Sequence, residues 1–321
     1  MTALHKLGPS DIEVFPLSLG GNVFGWSADK AASFAVLDAY AEAGGNFVDT
    51  ADAYSAWVPG NEGGESERII GEWMAARGNR DSVVVATKVS RHPEYRGLRP
   101  ETVKAGAEAS LRRLGTDRID LYYTHFDDPE VPVEDIVTAL DDLVREGKIR
   151  AVAASNISAE RLAESLEFSE REGKARYVAL QPHYNLMSRD TYEGALQDVA
   201  VRHGLAVAPY YSLASGFLTG KYRAGEPVDS VRAGGVAKYL GTPRGDRVLA
   251  GLERTAAEHG THAAAVALAW LAAQPGVVAP IASARTPEQL RPLLAFPDLR
   301  LTDAEVAALT EASAQVLSDR P

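Results

Sequence analysis

Short apolar runs rich in β-branched residues alternate along this chain with longer stretches whose apolar positions recur at helical spacing. The runs predict strands over residues 17–20, 46–50, 83–89, 119–125, 151–155, 177–181, 206–210 and 277–281. Between them, amphipathic patterns predict helices over 30–43, 66–77, 100–114, 133–146, 159–170, 191–203, 249–259 and 263–273. Eight strands separated by helices imply parallel pairing, because each crossover returns the chain to the same end of the sheet. The run 83–89 is apolar on both faces, as expected where helices cover one side of a sheet and a packed interior fills the other. Pro100 and Pro132 sit at helix starts, where a missing N–H is tolerated. Gly44, Gly115 and Gly147 follow helix ends, where a left-handed cap suits glycine.

The predicted architecture is α/β, a (β/α)₈ TIM barrel that takes residues 1–321 as one domain. An N-terminal β-hairpin over residues 6–14 would close the barrel floor. A doubly wound sheet is the rival, and the count of eight strands favours the barrel. Two connections, 54–65 and 212–247, are long enough to suggest functional loops.

Composition narrows the function classes. There are no cysteines, which excludes disulfides, thiolate metal sites and a cysteine nucleophile. The formal charge of −11 would be repelled by nucleic acid and by an anionic membrane surface. The longest apolar run, residues 263–273, is too short to span a bilayer, and residues 1–10 lack a signal-peptide core. Cytoplasm is the expected compartment, with a monomer or small homo-oligomer as the expected assembly.

Active sites of (β/α)₈ barrels lie at the C-terminal ends of the strands. Three successive predicted strands end there in an ionisable residue: Asp49, Lys88 and His125. Tyr54 follows the first by five residues. Strands about 4.8 Å apart would let these side chains converge at the barrel mouth. Singly, each has a plain reading: a solvated lysine, a core histidine, a turn-capping aspartate, a packing tyrosine. The joint arrangement is what points to chemistry.

Asp49-Thr50-Ala51-Asp52-Ala53-Tyr54, Gly64-Glu65-Ser66-Glu67, Thr87-Lys88 and Asp120-Leu121-Tyr122-Tyr123-Thr124-His125 occur in this order. In this the chain resembles the aldo-keto reductases, nearly end to end. The resemblance implies a catalytic tetrad of Asp49, Tyr54, Lys88 and His125, NADP(H) as cofactor, and a small-molecule carbonyl or alcohol as substrate. Tyr54 would be the general acid for reduction and the base for oxidation. The Lys88 ammonium would lower the tyrosine pKa from about 10. Asp49 would hold the lysine, and His125 would orient the carbonyl oxygen.

The same resemblance assigns a cofactor site to the second half of the chain. Ser155, Asn156 and Gln181 would contact the nicotinamide carboxamide, and Tyr210 would stack on its ring. Tyr211, Leu213, Ser215 and Gly216 follow in the same segment, which runs on to Leu218-Thr219-Gly220-Lys221, where glycine and backbone N–H groups suit a pyrophosphate. Ser283, Arg285 and Gln289 lie where the adenosine phosphate is held, before a helix start. Arg285 with Lys221 and Arg232 would favour NADP over NAD. Ala282 and Leu293 depart from the family's common proline and asparagine there. Trp26 and Trp57 are candidate substrate walls, with core packing as the plain alternative. No metal is expected.

Two other functions fit parts of the pattern. One is a non-catalytic nucleotide-binding subunit on the same fold, as in the potassium-channel β subunits. The other is an unrelated barrel enzyme, either a Schiff-base aldolase using Lys88 or a metal hydrolase using His125, Asp127 and Asp128. Neither barrel enzyme accounts for Tyr54.

Overall fold

The computed structural model describes residues 2–225 and 233–314. Eight parallel strands follow one another: β1 Ser18–Gly20, β2 Phe47–Asp49, β3 Val84–Val89, β4 Ile119–Thr124, β5 Ile149–Ser155, β6 Tyr177–Gln181, β7 Ala206–Val207 and β8 Ile281–Ala282. Each pairs with the next, except that β8 pairs with β1, with Ile281 opposite Ser18. The last seam closes β7 onto the stretch before β8. Val207 N–H donates to Gly276 O at 2.8 Å, and Val278 N–H to Val207 O at 2.9 Å. The result is an α/β (β/α)₈ barrel.

Six helices alternate with the first seven strands: α1 Lys30–Glu42, α2 Glu65–Arg77, α3 Pro100–Leu114, α4 Val133–Arg145, α5 Ala159–Glu172 and α6 Ala195–Arg202. After β7 come a 3₁₀ segment, Ala214–Thr219, then α7 Ala233–Ala237, α8 Pro243–Glu258 and α9 Ala263–Ala272. α10 Pro287–Leu294 and α11 Asp303–Ala312 follow β8. Among the described residues no helix is long and apolar enough to cross a membrane.

The alternation of side chains along a strand divides the apolar residues into two cores. Val85 and Val89 of β3 pack outward with Val103, Leu140 and Trp270 in the layer beneath the helices. Val84 and Ala86 point inward, where they meet Phe47, Leu121, Tyr123, Ala153 and Ala179. The inward set of each strand runs on toward its C-terminal end. Two residues past Phe47 stands Asp49, and two past Ala86 stands Lys88. Two past Tyr123 stands His125, and two past Ala179 stands Gln181. Strand parity therefore delivers the polar groups to the barrel mouth.

The floor is closed by a hairpin in which His5–Lys6 pairs with Glu13–Val14. Leu7, Ile12 and Val14 are buried in the same interior cluster as Phe47 and Ala86. Gly8, at φ 58°, passes so close to β6 that a Cβ would stand 2.2 Å from Val178 O. No residue with a side chain fits there.

Several boundaries differ from the sequence pattern for local reasons. The expected strand 277–281 becomes a bridge at Val277 and a short β8, because Pro280 has no N–H for a ladder. Pro209 likewise truncates the expected strand 206–210 at Val207. The helix expected from 191 starts at Ala195, after Gly194 at φ 96°. α8 starts at Pro243 rather than 249, with the Thr242 side chain accepting from Gly245 N–H. A hairpin of Arg91–His92 with Tyr95–Arg96, after β3, was not expected. Nor was α11, whose start is a capping box of Thr302 and Glu305.

Candidate active site

Lys88 lies at the centre of the barrel mouth with no exposed surface. Its ammonium has three donors, and all three are used. Nζ lies 2.7 Å from Asp49 Oδ2, 2.7 Å from Thr50 O and 2.9 Å from the Tyr54 hydroxyl. The Tyr54 hydroxyl in turn donates to Asp49 Oδ2 at 3.3 Å. The second oxygen of Asp49 accepts from Gln181 Nε2 at 2.8 Å. A buried ion pair is tolerable only when its remaining hydrogen-bonding capacity is met, and here it is. Gln181, expected at the cofactor, is thus also part of the floor beneath the tyrosine.

The electrostatics of the phenol differ from the sequence expectation. Burial pushes the Tyr54 pKa well up, and the Asp49 carboxylate adds to the rise. The Lys88 ammonium, 2.9 Å from the hydroxyl and paired with Asp49 at 2.7 Å, does not reverse that rise. Burial also draws the Lys88 pKa down, opposed by Asp49. The imidazole of His125 is held well below its ordinary pKa by burial, then by the charges of Lys88 and Arg91. It is therefore neutral near pH 7. Its Nδ1 is buried with no partner among the described residues, and its ring centroid is 6.1 Å from that of Tyr54.

These groups open onto a cleft of about 840 Å³. On one side its wall is aromatic. Trp26 and Trp57 meet edge to face at 5.5 Å, and Trp57 lies 6.2 Å from Tyr54. Phe126, Arg91 and Arg96 complete that side. On the other side the wall is polar. Asn156 Nδ2 donates to His125 O at 2.8 Å, and its Oδ1 accepts from the Tyr210 hydroxyl at 2.7 Å. Ser155 donates to Gln181 O at 2.8 Å. Beyond them the cleft runs past Tyr211, Leu213, Ser215 and Gly216 to Ser283, which donates to Asn22 at 2.6 Å.

Not every expected residue faces this cleft. Lys221 is exposed, its Nζ 4.8 Å from the centroid of the Tyr222 ring. Arg285 is half-buried, and its N–H donates to Gln289 Oε1 at 3.1 Å. Neither these two nor Gln289 is among the lining residues. Arg232 falls outside the described residues. Asp127 and Asp128, the other members of a conceivable metal set, are held elsewhere. Asp127 pairs with Arg161 at 2.6 Å, and Asp128 accepts from Leu98 N–H at 3.0 Å. Asn22, Arg91, Arg96 and Phe126 line the cleft without having been singled out in the sequence. Only Phe126, next to His125, carried a positional signal.

The model of the Aldo/keto reductase family matches residues 16–314. The chain belongs to the aldo/keto reductase family. This aldo/keto reductase is 33% identical over 314 residues to norsolorinic acid reductase stcV of Emericella nidulans, covering 92% of this chain and 77% of that one. It is 31% identical to an aryl-alcohol dehydrogenase [NADP(+)] of Phanerodontia chrysosporium, covering 96% and 85%. Protein tas of Escherichia coli is 30% identical, with 97% of each chain covered. Such membership places the reductase among oxidoreductases of carbonyl compounds.

Proposed function

We propose that this chain reduces aldehydes and ketones to alcohols with NADPH, and runs the reverse reaction on alcohols. Tyr54 is the general acid, Lys88 and Asp49 hold it, and His125 orients the carbonyl. The observation that carries this reading is the buried, fully paired Lys88, 2.9 Å from a phenol on the cleft surface.

The polar side of the cleft suits a dinucleotide. Ala214, Ser215 and Gly216 all have positive φ, at 48°, 60° and 99°. Within that turn the Ala214 N–H donates to Tyr211 O at 2.7 Å and the Gly216 N–H to Leu213 O at 2.8 Å, which fixes the shape of this wall of the groove. Glycines keep the groove open. A Cβ on Gly20 would stand 2.5 Å from Ser283 Oγ, and one on Gly235 2.7 Å from Ser215 Oγ. Ser155, Asn156 and Gln181 would hold a carboxamide, Tyr210 a flat ring, and Lys221 and Arg285 a 2′-phosphate. That the Phanerodontia relative is an aryl-alcohol dehydrogenase [NADP(+)] supports the choice of cofactor. NADPH, when bound, supplies the hydride to the carbonyl carbon.

The protein's own part is to position the carbonyl and to move one proton. Tyr54 gives its phenolic proton to the carbonyl oxygen as negative charge develops there. Lys88, donating to the same hydroxyl, stabilises the phenolate left behind. The neutral His125 carries one N–H, which donates to the carbonyl oxygen and fixes its direction. A protonated phenol is the form reduction requires, so the raised Tyr54 pKa favours that direction.

The test is NADPH oxidation with a panel of aromatic aldehydes and ketones, run beside Tyr54→Phe. Loss of a general acid lowers kcat by about 10²–10⁴-fold, while nucleotide binding, read by fluorescence titration, is retained. Wild-type protein that binds NADPH and turns over no carbonyl compound would instead favour a non-catalytic nucleotide-binding subunit.

A further inference from the structure

The hairpin after β3 sets two arginines against each other. Arg91 and Arg96 are partners in its antiparallel ladder, so their side chains rise from one face. Like charges so placed repel. Neither guanidinium has an ion pair or side-chain hydrogen bond among the described residues. Arg91 instead lies over the Phe126 ring, 4.6 Å from its centroid. Both also line a small neighbouring cavity that Asp127 and Asp128 reach. Those carboxylates are committed to Arg161 and to the Leu98 and Glu130 N–H groups.

Both arginines line the active cleft on the side that carries Trp26, Trp57 and Phe126. That side is built from the loops after β1, β2, β3 and β4. The groove assigned to the dinucleotide is built from the loops after β5, β6, β7 and β8. The arginines are therefore not placed to hold the phosphates of a cofactor in that groove.

We infer that Arg91 and Arg96 form an anion subsite for the substrate. The preferred substrates are aromatic aldehydes or ketones that carry a carboxylate away from the reacting carbonyl. The ring lies against Trp26, Trp57 and Phe126, the carbonyl oxygen faces Tyr54 and His125, and the carboxylate sits between the two guanidiniums. The inference rests on the reductase reading above. The field of Arg91 already reaches the reacting end, being one of the charges that hold His125 neutral.

The test compares 4-carboxybenzaldehyde with its methyl ester, which differ chiefly in charge. Wild-type protein at low salt is expected to favour the carboxylate by about tenfold in kcat/KM, the size two partly solvated ion pairs allow. Arg91→Met with Arg96→Met brings the ratio close to one, the Lys pair keeps most of it, and about 0.5 M salt erodes it. A second arm follows quenching of tryptophan fluorescence by 4-(hydroxymethyl)benzoate against its methyl ester. A carboxylate-to-ester ratio of kcat/KM that is the same in wild type and in the double Met variant would overturn the subsite and leave the reductase reading standing. No turnover of any aldehyde, with carboxylate binding that still depends on the two arginines, would overturn the reductase reading and support the subsite.

Discussion

The two sides of the barrel mouth are built by different means. Beneath Tyr54 the buried ammonium and carboxylate are both matched within the protein. Lys88 spends its three donors on Asp49, Thr50 and Tyr54, and Asp49 accepts from Gln181 as well. Outside the cleft lining, in the loops after β7 and β8, Lys221 and Arg285 have no carboxylate partner among the described residues. The first region is organised before any ligand arrives. The second has free cations that a phosphate would complete. Chemistry needs the first property, because donors that need not reorient stabilise developing charge most effectively. Under the proposed function, reversible capture of NADPH would need the second.

The largest expected effect breaks the matched side. Lys88→Met leaves the Asp49 carboxylate buried, with a weak phenol donor in place of an ammonium. Removing one partner of a buried pair destabilises by about 3–5 kcal/mol, read as a shift of the denaturant midpoint. The double variant with Asp49→Asn removes the orphaned charge and recovers most of that loss. Neither variant recovers activity, because the phenolate has lost its ammonium. A Lys88→Met protein as stable as wild type would mean that the pair is solvated and that the side is not preorganised.

A smaller effect sharpens the other side. Arg285→Ala is expected to weaken NADPH binding about tenfold while leaving NADH binding within about twofold, since only the former carries the 2′-phosphate. Fluorescence titration of the two nucleotides gives the ratio. Equal weakening of both would place Arg285 at the pyrophosphate or the ribose instead.

The same division governs what the chain discloses before folding. Asp49, Lys88 and His125 are legible because strand parity and strand ends are sequence properties, and β2, β3 and β4 are regular. Tyr54 follows from its motif. Gln181 is seen, but its bond to Asp49 is not, since that depends on β6 facing β2 across the barrel interior. The aromatic wall is half legible: the tryptophans stand out, whereas Arg91 and Arg96 need the hairpin that pairs them. Lys221 and Arg285 are legible only through resemblance, because loop geometry decides where they point. Pro280 and Pro209 were visible in the sequence, and their lack of an N–H explains both shortened strands.

The smallest effect is a profile that should hardly move. Burial and the Asp49 carboxylate raise the Tyr54 pKa above its ordinary value of about 10. The acid that reduction needs is then present across neutral and mildly alkaline pH. As a result kcat/KM for carbonyl reduction is expected to vary by less than about threefold from pH 6.5 to pH 9.5. Alcohol oxidation needs the phenolate and should rise about tenfold per pH unit over the same range. Asp49→Asn removes the negative charge and leaves Lys88 as the phenol's nearest charged neighbour, so the phenol pKa falls. An alkaline decline in reduction then enters the measured range, which is the behaviour expected of a tyrosine tuned by lysine alone. An alkaline decline already present in wild type, centred below pH 9, would show that Lys88 outweighs Asp49 and burial at this hydroxyl.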